Sequence, residues 1–269
     1  VPDTLLNDGM FALLNNDVPL FKDVAVRRAF VMATNRQQLL SRLHNRGVLL
    51  DGPLPSSMVG GSTVRQESYD EAKAAAAFDA AGWVRGTNGL RAKLGTNLTV
   101  TIVAPEGHDF EVMLKTLAEQ WRKIGIDVKT VQAKVNEMAS SYLQPRNYDI
   151  LLNEYAFGAD ADVYAYWHSS QASPRGRNFA NYRSGLIDDI LSSAKARLEP
   201  QLRNAKYRAF VDQWVKDVPA IALYQPYVSY IATDTSHSFD EALTIADATA
   251  RYRDIQRWAV QTRTVMKTP

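Results

Sequence analysis

The chain has 269 residues, 46% hydrophobic and 22% charged, which suits one large globular domain or two smaller ones and excludes a disordered polymer. Its 31 basic and 29 acidic residues are interspersed and leave a net charge of +2, which argues against a nucleic-acid partner. The absence of cysteine excludes disulfides, thiolate-bound zinc or iron–sulfur centres and thiol catalysis, and no apolar run reaches the roughly 18 residues a membrane helix needs.

Taken in chain order, Met10–Leu14 reads as a strand closed by the Asn15-Asn16-Asp17 turn. Asp23 caps a helix over 24–33 with Val26, Ala29 and Phe30 on its apolar face, and Asn35 starts a second helix that ends before Gly47. The Gly-, Pro- and Ser-rich stretch 51–63 is a loop. Its Gly60-Gly61-Ser62-Thr63 lacks the lysine of a phosphate cradle. An alanine-rich helix spans 69–81, with Asp70 and Glu71 in its first turn and Gly82 at its end. Period-two alternation predicts a strand over Leu98–Val103, and Met113, Leu117, Trp121 and Ile124 give one face of a helix over 110–124. A strand is expected over 126–131, then a helix over 135–143 and a strand over 150–155. Further helices carry Leu186–Ala194 and Tyr207–Trp214, and strands are expected over 219–224 and 227–232. Beyond Asp234 the pattern weakens. This alternation predicts an α/β fold, a mixed but mainly parallel sheet flanked by helices.

The most concentrated recognition chemistry lies just past the 150–155 strand, in NEYAFGADADVYAYWHSS. Aromatic faces and carboxylates beyond the carboxyl end of a strand suit a ligand cleft in an α/β protein. Tyr155, Phe157 and Trp167 either wall such a cleft or plug the edge of the sheet. Asp160 either anchors a cation or amine or caps a short helix over 163–168. Asn153 and Glu154 alternate along the strand, so only one of them faces the cleft.

Six phrases, in order, resemble the peptide/nickel-type (family 5) substrate-binding proteins of bacterial ABC importers. They are NNDVPLFKDVAVRRAFVMATNRQQLL, DGPLPSSM, YDEAKAAAAFDAAGW, LTVTIV with LAEQWRKIGIDVKT, YDILLNEY…DADVYAYWHSS, and VPAIALYQPYVSYIA. The resemblance implies a periplasmic-binding-protein-like lobe that captures a peptide or similar small solute between two lobes. It also implies delivery to the membrane subunits of a permease, an extracytoplasmic location (periplasm or cell-surface lipoprotein), a monomer, no cofactor and no enzymatic activity. It further implies that the chain is the second lobe of a longer protein. On that reading, residues 1–16 are a hinge strand and linker, 17–221 the substrate-binding lobe, and 222–269 return strands and a tail belonging to the first lobe. Tyr224 and Tyr227, flanking Pro226, would then sit at the hinge and border the cleft.

The chain departs from the family at one place. Peptide-binding members carry an Asp that pairs with the peptide's amine, shortly after a Trp. In EYAFGADAD the Trp position falls on Tyr155 and the Asp position on Gly158, leaving Asp160 or Asp162 to act from a shifted loop, or a ligand without an ammonium there. The histidines His44, His108, His168 and His237 show no metal-ligand spacing, so no metal site is expected, and His168 alone could meet a captured nickel chelate. No G-x-S-x-G elbow is present. The alternatives are an α/β hydrolase or glycosidase using Glu154 and Asp160 as a carboxylate pair, and an interaction domain that meets a partner protein through the aromatic loop.

Overall fold

The N-terminal apolar run folds as two successive strands, β1 (Asp3–Leu6) and β2 (Asp8–Leu14), joined through Asn7. The structure is a computed structural model and describes residues 3–59, 64–229, 236–237, 244–246 and 249–260. The Gly60–Thr63 loop and most of the tail after Ser229 lie outside the described residues.

Helices α1 (Val24–Met32), α2 (Arg36–Arg42) and α3 (Glu71–Ala80) begin where their caps predict. The side chains of Asp23, Asn35 and Asp70 accept from the amides of Ala25, Gln38 and Lys73 at 2.8, 2.9 and 3.0 Å, satisfying donors that a helix start leaves unpaired. Short β3 (Gly47–Leu49) precedes α3, and a small meander of β4 (Val84–Arg85), β5 (Arg91–Lys93) and β6 (Thr96–Asn97) comes after it. Then come β7 (Thr99–Pro105), α4 (His108–Lys123), β8 (Asp127–Ala133) and β9 (Ile150–Ala156). The helix expected over 135–143 is a single turn, α5 (Val135–Glu137), running into a π-helical turn over Met138–Leu143. After β9 come α6 (Tyr164–Trp167), α7 (Gly185–Lys195), α8 (Pro200–Asp217) and β10 (Ala220–Ser229). In the described tail, β11 (Ser236–His237) pairs with β13 (Ala259–Val260), and β12 (Thr244–Ile245) joins the main sheet.

The main sheet runs β12-β1-β10-β2-β9-β7-β8, with β3 also on β10. Among the described residues β7–β8, β7–β9 and β1–β12 are parallel, while β1–β10, β10–β2, β10–β3 and β2–β9 are antiparallel. The sheet is therefore mixed and not mainly parallel. Parallel neighbours need a crossover connection, which the β7–β8–β9 stretch supplies through α4 and α5. β2 and β10 enter from opposite ends of the chain and pair in opposite senses.

The two return strands expected around Pro226 are one strand, β10, whose register slips between Ala222 and Tyr224. Just before the slip, where β3 no longer pairs with β10, the buried side chain of Gln66 serves both backbone groups of Ala222. Its Nε2 donates to the Ala222 and Leu50 carbonyls at 2.6 and 3.1 Å, and its Oε1 accepts from the Ala222 amide at 3.2 Å. Arg36 Nη1 donates to the Leu50 carbonyl at 2.6 Å and to Asp51 at 3.2 Å, holding the same junction.

Strand alternation splits the interior in two. Met10, Ala12, Ile102 and Leu152 face α1–α4, where Phe30 packs on Phe78 and Trp121 with centroids 5.3 and 5.0 Å apart. Phe11, Leu13, Leu151 and Tyr155 face α6–α8, where Trp167 meets Trp214 at 5.4 Å.

Candidate functional site

β7 and β9 run parallel and finish at the same edge of the sheet, Pro105 and Ala156 being their last residues, with Ala133 ending β8 beside them. β2 starts at this edge, Asp8 lying opposite Ala156, and β10 passes it at Tyr224, opposite Met10. In open α/β sheets ligands occupy this place, outside the carboxyl ends of the strands. The residues singled out from sequence gather here, but on two faces with different environments.

On the face toward α6–α8 the aromatics are interior. Tyr155, Phe157 and Trp167 are only 2%, 6% and 0% exposed. Tyr155 packs between Phe11 at 5.6 Å and Trp167 at 5.7 Å, and its hydroxyl donates to the Arg177 carbonyl at 3.1 Å. Phe157 meets Phe11 edge-on at 6.4 Å. The expected aromatic wall is thus the outer layer of the second core, its rings packed on one another and the Tyr155 hydroxyl already taken up by backbone. Burial raises the Tyr155 phenol well above its ordinary range. Tyr166, which sequence reasoning does not single out, covers this plug. Half-buried, it stacks on Tyr155 at 4.1 Å and donates its hydroxyl to the Ala156 carbonyl at 2.7 Å.

Beyond the plug, Gly158 turns the chain with φ +65°, and its carbonyl accepts from Asn7 Nδ2 at 3.0 Å. Nothing lies within 4 Å of the place a Cβ would take there. Asp160 is not a helix cap. It pairs with Arg203 of α8 at 2.6 Å, while Asp162 accepts from the Tyr164 amide at 3.0 Å and α6 starts from Val163 without a side-chain cap. Asn7, Met58, Asp160, Arg203, Asn204 and Tyr207 line a cavity of about 330 Å³.

The face toward α1–α4 carries a row of side chains at matched register: Glu154 on β9, Met10 on β2 and Tyr224 on β10. Tyr224 is buried in the first core, and burial, reinforced by Asp109 and Glu154, holds its phenol above the usual range. Glu154 and Ala156 are the exposed side chains at the end of β9. Although part of Glu154 meets solvent, the surrounding sheet displaces enough water to raise its carboxyl above the ordinary carboxylate range. Asp109, in the first turn of α4, pairs with Arg46 at 3.5 Å beside this row. Tyr227 sits further along β10 opposite Leu5, its amide donating to the Arg46 carbonyl at 3.1 Å. Alternation along β9 carries the signal for Glu154, since it must point away from the face of Tyr155.

Glu154 and Asp160 lie on opposite sides of the sheet and form no acid–base pair. His168 lies away from the edge, stacked on Tyr164 at 4.0 Å. Its Nδ1 accepts from the Ser170 amide at 3.1 Å, and its Nε2 lies 3.5 Å from the Ser192 hydroxyl. Among the described residues no three His, Asp or Glu side chains are placed to hold a metal ion, and no helix is long and apolar enough to cross a membrane.

Comparison with known proteins adds a family to this geometry. The sequence model of the bacterial extracellular solute-binding proteins, family 5 Middle, matches residues 4–176. The oligopeptide-binding protein AppA of Bacillus subtilis (strain 168) is 26% identical over 220 residues, 79% of this chain and 40% of AppA. Protein XP55 of Streptomyces lividans is 29% identical over 200 residues, 72% of this chain and 36% of XP55. The solved structure of AppA in complex with a nonapeptide matches with a TM-score of 0.80 at 24% identity, over 97% of this chain and 52% of that one. That of NikZ from Campylobacter jejuni in complex with Ni(L-His) matches with a TM-score of 0.82 at 22% identity, over 96% and 53%. These likenesses carry the fold, and the chain spans about half the length, or less, of the proteins it matches.

Proposed function

Because the chain belongs to the bacterial extracellular solute-binding proteins of family 5, we propose that it is the second lobe of the solute-binding component of an ABC importer. It captures a peptide or similar small solute for a membrane permease. The observation that carries this reading is the edge where β2, β7, β8, β9 and β10 come together. Gly158, Glu154 and Ala156 lie open there, while the aromatics beneath are packed into a rigid base. On this reading residues 1–16 and 222–269 connect to or belong to a first lobe that supplies the opposite wall. Closure of the lobes about β2 and β10 then encloses the solute. The protein works by binding and not by turnover, as a monomer without cofactor, in the periplasm or anchored to the cell surface. The separation of Glu154 from Asp160 across the sheet leaves the hydrolase alternative without support.

Half a cleft makes half the contacts. The 269-residue chain is expected to bind solute at least about 100-fold more weakly than the complete protein, a loss of about 2.7 kcal/mol. Native mass spectrometry of the complete protein, purified without refolding, identifies the co-purified solute, and calorimetry with that solute compares the two forms. Equal affinity in both would overturn the reading, as would release of a chemically altered solute.

A further inference from the structure

Position 158, where the family's peptide binders place an acid, is glycine, yet the open edge is not without a carboxylate of its own. Glu154, Met10 and Tyr224 stand abreast on three neighbouring strands, with side chains on one face. Among the described residues the Glu154 carboxylate makes no ion pair or hydrogen bond, the 2.7 Å bond from Asn153 Nδ2 going to its backbone carbonyl. Asp109, on α4 beside the row, is matched by Arg46 at 3.5 Å. Tyr224 is 4% exposed, and its phenol has no hydrogen-bond partner among the described residues, while it feels the charges of both Asp109 and Glu154. The ring is held from behind, since a Cβ on Gly47 would come within 2.9 Å of it and 2.3 Å of the Gln225 carbonyl. Ala156, next on the same face of β9, leaves the approach to Glu154 open.

Resting on the solute-capture reading, we infer that the recess of Glu154, Met10 and Tyr224 receives a cationic group of the solute, an ammonium or guanidinium. Glu154 pairs with the charge, and the Tyr224 hydroxyl accepts one of its N–H bonds. Met10 lines the floor between them with a polarisable, apolar surface. The carboxylate that has lost hydration regains a partner on binding, and an uncharged isostere cannot provide one. This recess lies on the opposite side of β9 from Asp160, whose charge Arg203 already takes up.

The test uses n-butylguanidinium and its uncharged isostere n-butylurea, titrated by calorimetry into the complete protein at fixed ionic strength. The guanidinium is expected to bind about tenfold or more tightly than the urea. Glu154→Gln should collapse that preference to about twofold or less, and Tyr224→Phe should reduce it by about threefold. Asp189→Asn, on the exposed side of α7, should leave it intact. Equal binding of the two probes, no measurable binding of the guanidinium, or a preference that survives Glu154→Gln would each overturn the assignment. The solute-capture reading is decided separately. A co-purified solute whose affinity ignores Glu154→Gln would sink the cation site alone.

Discussion

Glu154 spends stability for its position, and pH should reveal it. Loss of hydration raises its carboxyl in the folded chain above the value of about 4.3 it has when unfolded. Below that unfolded value both states are protonated and nothing is lost. As pH climbs through the window up to the folded value, the unfolded chain ionises freely while the folded chain resists, so stability falls. Glu154→Gln removes this linkage. The variant's Tm relative to wild type should therefore be higher at pH 7 than at about pH 3.5, and a difference that is constant or reversed would contradict the linkage. The same residue shows what the sequence could and could not tell. That Glu154 and Tyr155 face opposite ways follows from strand alternation alone. That Tyr155 and Trp167 are interior depends on Trp214, far along the chain, and that Asp160 is neutralised depends on Arg203, 43 residues away. Aromatics and acids past a strand end read alike as a wall or as a packed plug until such distant partners are placed.

Elements whose cause is local were legible. Asp23, Asn35 and Asp70 announce their helices because a cap needs only the next two or three amides, and the apolar stripe of α4 needs only its own periodicity. The orientation of β2 and β10 and the bulge in β10 were not legible, because they arise from pairing between the two ends of the chain. A buried strand keeps its place only if the amides and carbonyls that no neighbouring strand takes up find substitutes. Gln66 provides both, from a loop more than 150 residues earlier in the chain. Gln66→Leu, close in volume but without donor or acceptor, should therefore cost about 2 kcal/mol in denaturant unfolding. Hydrogen exchange should speed up most at the amides of β3 and the middle of β10. A loss below about 0.5 kcal/mol would mean that water satisfies Ala222 equally well.

At the scale of the whole molecule, the two helical layers share one sheet, and Arg27 stitches them together at the end opposite the open edge. It lies on α1, in the first layer, and is 8% exposed. Its guanidinium donates to the Phe21 carbonyl at 2.6 Å and reaches across to α8, meeting the carbonyls of Asp217 at 2.5 Å and Val218 at 3.0 Å. Those carbonyls end a helix and have no partner within it. Val218 adopts φ +51° to present them, and Tyr182 bonds the Asp217 carboxylate from the other side. Burial lowers the Arg27 pKa and nearby Asp217 opposes that, so the group stays charged while bonding mainly to neutral carbonyls. Arg27→Met keeps the apolar stem, removes every one of these donors and leaves the end of α8 unpaired in a buried place. The expected loss is about 3 kcal/mol, since bonds to a charged donor contribute about 1.5–3 kcal/mol each and several made by one group do not add. Because both cores hang on the same strands, the loss should be common to both. Amide exchange in α1–α4 and in α7–α8 should then lose protection by the same free energy in the variant. Protection lost only in α8, with the first layer unchanged, would show instead that the layers open separately and that Arg27 is a local cap.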